Sequence, residues 1–142
     1  MSEQVHDTFD VQRPPVTPRT FSKPYWEGTR AKKLMIQFDP RAKKYQHFPR
    51  PNSIYDGRGG LEWHEVSGKG EVFTWTVARR GPPIFRGQEP YLVANVTLDV
   101  GVNVIANLVH CELDEVKIGL KVKPYWHPMP DGTHILMFQP DR

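Results

Sequence analysis

A mainly β protein centred on a small five-stranded barrel is what this sequence predicts, and three observations carry the prediction. Five segments from residue 70 onward alternate apolar and polar residues in the two-residue rhythm of half-buried strands. Glycines stand where those segments bend or turn, at Gly68, Gly70, Gly101 and Gly119. Fourteen prolines in 142 residues, with an apolar share of only 38%, disfavour a helical bundle and favour a loop-rich chain. A chain of this length buries one modest core, which excludes two large domains.

The elements follow in order. Residues 1–20, MSEQVHDTFDVQRPPVTPRT, mix charge with Pro14, Pro15 and Pro18 and lack apolar periodicity, so an extended arm is expected. Ser22 offers a helix cap, Pro24 fits a first turn, and Phe21 can pack back as a staple. A short helix is therefore predicted over residues 23–33, with Tyr25, Trp26 and Thr29 on one face and Arg30, Lys32 and Lys33 toward water. Residues 34–38 follow as a strand. Two turn-forming stretches, 39–42 and 53–56, then flank the connector Phe48-Pro49-Arg50-Pro51.

The barrel strands are expected over residues 70–77, 91–98, 102–109, 121–126 and 133–138, with Asp99-Val100-Gly101 as a tight connection and Asp131-Gly132 as a hairpin turn. Five short antiparallel strands close best as a Greek-key barrel. On the first of them, alternation places Phe73, Trp75 and Val77 on one face, read as barrel interior. The loop over 79–90, RRGPPIFRGQEP, is the one long irregular insertion, and such loops are commonly functional. The expected division is an arm (1–20), a helix with a turn-rich segment (21–60) and a barrel domain (61–142).

Charge is uneven. Residues 1–60 hold eleven Lys/Arg against six Asp/Glu, whereas residues 61–142 hold eight against ten. Arg30, Lys32, Lys33, Arg41, Lys43, Lys44 and Arg50 thus form a basic front suited to an acidic surface, a nucleic acid or the phosphates of a coenzyme. No apolar run approaches the roughly 18–20 residues needed to cross a bilayer, and the N-terminus lacks a signal-peptide core, so a cytoplasmic, membrane-free protein is expected. The single Cys111 cannot form an internal disulfide.

The stretch over 37–63, QFDPRAKKYQHFPRPNSIYDGRGGLEW, carries two knuckle-like turns and leads into Leu61-Glu62-Trp63. Before it stands Tyr25-Trp26-Glu27-Gly28; after it come Ser67-Gly68-Lys69-Gly70, Asn107-Leu108-Val109 and Ile118-Gly119. In order and spacing, residues 21–139 resemble the thiolase-associated OB-fold family, first described as domain of unknown function number thirty-five. The resemblance implies a rubredoxin-like zinc ribbon running into a five-stranded OB-fold barrel. In that family two CxxC pairs occupy the positions that here hold Asp39, Ala42, Ser53 and Asp56. A degenerate, metal-free ribbon is therefore implied.

The resemblance also implies a task. Such proteins are companions of thiolase-fold enzymes, among them thiolases, acyl-transferring complexes and steroid side-chain aldolases acting on acyl-CoA, and the partner supplies the nucleophilic cysteine. A non-catalytic subunit of a hetero-oligomer is expected, without a cofactor of its own. Tyr25, Trp26, Arg79, Arg80, Ile84, Phe85 and Arg86 are the candidate contacts to that partner or to acyl-CoA at a shared interface. Arginine suits coenzyme A phosphates through forked hydrogen bonds, and Ile84-Phe85 suits an apolar anchor.

Other chemistries are weaker. Zinc requires soft or borderline ligands converging tetrahedrally, whereas Asp39, Ala42, Ser53 and Asp56 offer two hard carboxylates, a hydroxyl and a methyl. With no metal, Tyr45, Phe48, Ile54, Tyr55 and the prolines are expected to hold the ribbon, aided by Asp and Ser bonds to turn amides. No GxSxG, HExxH, P-loop or dinucleotide fingerprint is present. His110-Cys111, if on a strand, point to opposite faces and cannot pair as base and nucleophile. A single-stranded nucleic-acid reading would use Phe73, Trp75 and Arg79 as a stacking platform; it competes with the barrel-interior reading of the same face.

Overall fold

The computed structural model of this chain describes residues 4–6 and 13–142. Nine of the twenty residues of the expected arm, 1–3 and 7–12, lie outside the described residues. Of its remainder, the His6 amide donates to the Pro90 carbonyl at 2.8 Å and Val5 packs against the core.

A 3-10 turn, Thr20–Ser22, leads into helix α1 (Lys23–Arg30), with Pro24 in its first turn as expected. Ser22 does not cap α1; its hydroxyl turns back to the Arg19 carbonyl, at 3.1 Å. The helix also ends three residues earlier than predicted. Lys32 takes the left-handed conformation at φ 57°, the Lys33 amide bonds the Gly28 carbonyl at 2.9 Å, and the Lys32 amide bonds that of Thr29 at 3.0 Å. This pair of bonds is a Schellman ending with lysine in the place glycine usually takes. Gly28 is itself required, because a Cβ there would meet Met35 Cγ at 2.5 Å.

Strand β1 (Leu34–Asp39) pairs antiparallel with β2 (Lys44–Gln46) on one side and β3 (Glu62–Val66) on the other. Leu61-Glu62-Trp63, expected to lead straight into the barrel, instead opens β3, whose His64 faces Ile36 across the sheet. Strands β4 (Gly70–Ala78), β5 (Tyr91–Leu98), β6 (Asn103–Leu108), β7 (Lys121–Pro128) and β8 (His134–Pro140) form a closed barrel in the order β4-β5-β6-β8-β7. All five predicted strands are present, and the class is mainly β. One neighbour pair departs from the antiparallel expectation: β6 meets β8 in parallel, at Leu108 and Phe138.

The barrel interior is filled by alternate residues, including Val72, Leu92, Val96, Leu108, Val122 and Phe138, all essentially inaccessible. Leu34 and Ile36 of β1 belong to the same buried cluster, so the three-stranded sheet closes over the barrel rather than standing beside it. On β4 the register slips between Val72 and Thr74. This β-bulge expels Phe73, which is 57% exposed, and lets Val72, Trp75 and Val77 share the inward face. The strict alternation assumed for Phe73, Trp75 and Val77 fails at that one residue.

Candidate functional site

Helix α1 reaches its place through its last turn. The Thr29 hydroxyl accepts from the His134 amide at 3.2 Å, and His134 Nδ1 lies 2.7 Å from the Thr29 carbonyl. A carbonyl only accepts, so His134 carries its proton on Nδ1. Arg30 donates to the Asp131 carbonyl at 2.6 Å. Thus anchored on the β7–β8 hairpin, α1 turns Tyr25 and Trp26 toward β6 and the connector. Together with Phe48, Ile105 and Ile135 they line a groove of about 250 Å³.

The groove is apolar and aromatic. Tyr25 meets Trp26 edge-on with centroids 5.0 Å apart, His47 lies 5.6 Å from Tyr25, and Phe48 lies 4.6 Å from His47. Burial pushes the His47 pKa down to about 4 and the Tyr25 hydroxyl up to about 12, so both are neutral at physiological pH. Phe48 and Ile105 are 54% and 58% exposed. Ile105 also borders a second, shallow cavity on the barrel wall, whose lining includes Thr74, Thr76, Val93 and Asn95. The sequence reading found Tyr25 and Trp26 but missed Phe48, Ile105 and Ile135 as their neighbours. The only available signal was the outward phase of Ile105 on a strand that alternates.

The loop over 79–90 lies elsewhere, against the start of β5. Its centre is a 3-10 turn, Pro83–Phe85, and Glu89 accepts from the Gly81 amide to close its neck. Arg79, Arg80, Ile84 and Arg86 are exposed. Phe85 is half-buried, 5.4 Å from the Tyr91 ring, with the Arg13 guanidinium over it at 5.1 Å. Ile84 and Phe85 are thus not one anchor: Ile84 faces outward and Phe85 holds the loop down.

The four positions that the resemblance assigns to metal ligands are tied together by hydrogen bonds. Asp39 is fully buried; its Oδ1 accepts from the amides of Arg41 (2.8 Å) and Ala42 (3.2 Å), and its Oδ2 accepts from Ser53 Oγ (2.5 Å). Ser53 Oγ in turn accepts from the Tyr55 amide at 3.0 Å. Asp56 receives Arg41 through Nε at 2.7 Å and a second guanidinium nitrogen at 3.2 Å, and the amide of Arg58 at 2.8 Å. The Ser53 bond, helped by the two turn amides, lowers the Asp39 pKa, and Arg41 brings that of Asp56 down to about 2. These residues do not fit zinc: the donors are spent on one another, one position is a methyl, and a guanidinium stands between the carboxylates.

Two buried glutamines complete the tie, and sequence reasoning passed over both. Gln37 clamps Arg50 by accepting from its amide at 2.9 Å and donating to its carbonyl at 2.7 Å. Gln46 donates to Gln37 at 3.0 Å and to the Asn52 carbonyl at 3.2 Å, and accepts from the Ile54 amide at 2.9 Å. Of the residues expected to hold the segment by packing, Tyr45 does pack against the core and the Phe38 ring, whereas Phe48, Ile54 and Tyr55 are exposed. Polar clamps do much of what apolar burial was expected to do.

Nucleophile chemistry finds little support in the geometry. Cys111 is buried, and burial, with Glu115 adding to it, pushes its thiol up to about 11. His110 follows β6 in a bend at φ 54° rather than on a strand, and its Nδ1 pairs with Gln139 at 2.9 Å, not with the thiol. The nucleic-acid platform is also divided, since the bulge sends Phe73 outward while Trp75 packs toward the core. Among the described residues, no helix is long and apolar enough to cross a membrane.

Comparison with known proteins places the fold. The family described as ChsH2, C-terminal OB-fold domain, matches residues 63–127. A DUF35 domain-containing scaffold protein of Pyrococcus furiosus is 34% identical over 99 residues, spanning 70% of this chain and 73% of that one. The chain belongs to the DUF35 family. This DUF35 protein is also 30% identical, over 82% of its length, to a probable enoyl-CoA hydratase alpha subunit of Thermomonospora curvata, of which it spans 36%. Among solved structures, a chain of the Ltp2-ChsH2(DUF35) aldolase superposes with a TM-score of 0.76 at 29% identity, covering 90% of this chain and 98% of that one. The barrel seen here is accordingly an OB-fold.

Proposed function

We propose that this DUF35 protein is a non-catalytic OB-fold subunit of a cytoplasmic hetero-oligomer, associating with a thiolase-fold enzyme that acts on acyl-CoA. The enzyme is a thiolase, an acyltransferase or a side-chain aldolase. The observation that carries the reading is the likeness, over nine-tenths of this chain, to a chain of the Ltp2-ChsH2(DUF35) aldolase. The scaffold-protein name of the Pyrococcus relative and the subunit name of the Thermomonospora relative point the same way. A buried thiol of raised pKa and a histidine engaged elsewhere suit a subunit whose partner performs the chemistry.

Two surfaces are the candidate contacts. The Tyr25–Trp26 groove, continued by Phe48 and Ile105, offers apolar area of the kind a partner covers. The exposed arginines Arg79, Arg80 and Arg86, with Ile84, offer a cationic rim suited to coenzyme A phosphates at a shared entrance. The test is co-expression with a thiolase-fold enzyme encoded beside this protein, followed by affinity capture and an acyl-CoA turnover assay. A stable complex that turns over substrate, with an inert isolated chain, is expected; turnover by the isolated chain, or no complex with any such enzyme, would overturn the reading.

A further inference from the structure

The segment between β2 and β3, residues 47–61, contains no helix or strand and exposes its large apolar side chains at Phe48, Ile54 and Tyr55. Something other than a hydrophobic core must therefore offset the entropy of ordering it. Three features converge on Asp39 and Arg41. The Asp39 carboxylate, with zero exposure, receives both amides of its own turn and the hydroxyl of Ser53 from the opposite turn. Since a carboxylate only accepts, Ser53 must donate its proton to it, which leaves the Ser53 lone pairs for the Tyr55 amide. Arg41 lies 3.8 Å from Asp39, pairs with Asp56 through two nitrogens, and donates to the Gly59 carbonyl at 2.9 Å.

We propose that this cluster is a clasp made of protein alone, in which Asp39–Ser53 and Arg41–Asp56 take over the cross-linking duty a metal would otherwise perform between the two turns. The Asp39 carboxylate receives the amides at the second and third positions beyond it and, through Ser53, bonds the facing turn. Arg41–Asp56 supplies the outer link. The clasp is independent of any partner enzyme. It closes the turns in the absence of metal, and chelators leave it untouched.

The test combines metal analysis, melting and a double-mutant cycle on the full-length chain. Wild-type protein should contain no stoichiometric zinc and melt at the same temperature with and without a strong chelator. Arg41→Gln and Asp56→Asn should each lower the midpoint by a few degrees, and the double variant should lose no more than Arg41→Gln alone, because once Arg41 is gone Asp56 has no guanidinium partner left to lose. A variant carrying Asp39→Cys, Ala42→Cys, Ser53→Cys and Asp56→Cys should take up one zinc per chain and become chelator-sensitive, since the Asp39–Ser53 and Arg41–Asp56 bonds already hold the two turns against each other. This arm stays informative even if single substitutions at Asp39 fail to fold. Zinc in the wild-type protein, a chelator-dependent midpoint, additive effects of Arg41 and Asp56, or failure of the four-cysteine variant to bind zinc would each overturn the proposal.

Discussion

At the scale of single residues, His47 is the most instructive titratable group. It sits in the aromatic groove, and burial brings its pKa from 6.5 to about 4. Folding therefore favours the neutral ring, while the unfolded chain takes up a proton more readily. The sign follows: stability is full above pH 6.5 and falls as pH drops toward 4, below which both states are protonated and no further loss accrues. A shift of this size corresponds to about 3 kcal/mol. Thermal melts between pH 7 and pH 4 should show a falling midpoint, and His47→Gln should flatten that dependence. Asp56, with its pKa lowered to about 2 by Arg41, acts in a lower window: its contribution is present above pH 3.8 and fades as pH falls toward 2. A pH profile that His47→Gln leaves unchanged would show that the ring is not the titrating group. Little of this was legible beforehand, because a histidine beside phenylalanine in sequence gives no measure of how much water the folded ring retains.

At the scale of elements, the bulge on β4 makes a paired prediction. Val72→Ala opens a void in the barrel and should cost about 2 kcal/mol, whereas Phe73→Ala, one residue on, should stay within about 0.5 kcal/mol. Chemical denaturation of both variants checks the contrast; equal losses would place Phe73 in the core after all. A second prediction concerns the end of α1. Lys32 is left-handed without glycine's freedom, so Lys32→Gly should stabilise the protein by about 0.5–1 kcal/mol, read as a raised denaturation midpoint. The five barrel strands were legible because their alternation is strong and glycines punctuate them. Strand β3 was not, since Glu62–Val66 carries two glutamates and a histidine, and its partner β1 lies more than twenty residues away. The early stop of α1 was hidden because lysine in a Schellman ending leaves no glycine to mark it. Gln37 and Gln46 escaped notice for a related reason: long polar side chains are read as surface unless the backbone they serve is already known.

At the scale of the whole molecule, Leu34 and Ile36 of β1 share one buried cluster with Phe138 and Val122 of the barrel. Removing the first sixty residues would strip that cover and expose apolar wall. A chain beginning at residue 61 should therefore lack the dispersed amide spectrum of a folded barrel, and the intact protein should unfold in one transition with coincident signals from tryptophan fluorescence and circular dichroism. Two separate transitions would show that sheet and barrel are independent. The apolar groove from Trp26 to Ile105 shows only in this assembled state, since α1, the connector and β6 contribute to it from distant parts of the chain; for that reason the candidate surface was half visible in the sequence, as Tyr25 and Trp26, and no more. The closure of the barrel has a mechanical consequence. Strands β4, β5 and β6 are laced by long antiparallel ladders, as are β7 and β8, whereas β6 meets β8 at Leu108 and Phe138, with the Val109 amide on the Phe138 carbonyl, and β4 meets β7 at Gly70 and Glu71, with Val72 bonding Gly119 and Leu120 just before that strand. The wall is thus two well-stitched panels joined along two short seams. Under tension or transient opening the panels should part before either one unravels, so amides beside Phe138 and Val122 should exchange with deuterium sooner than those in mid-β5.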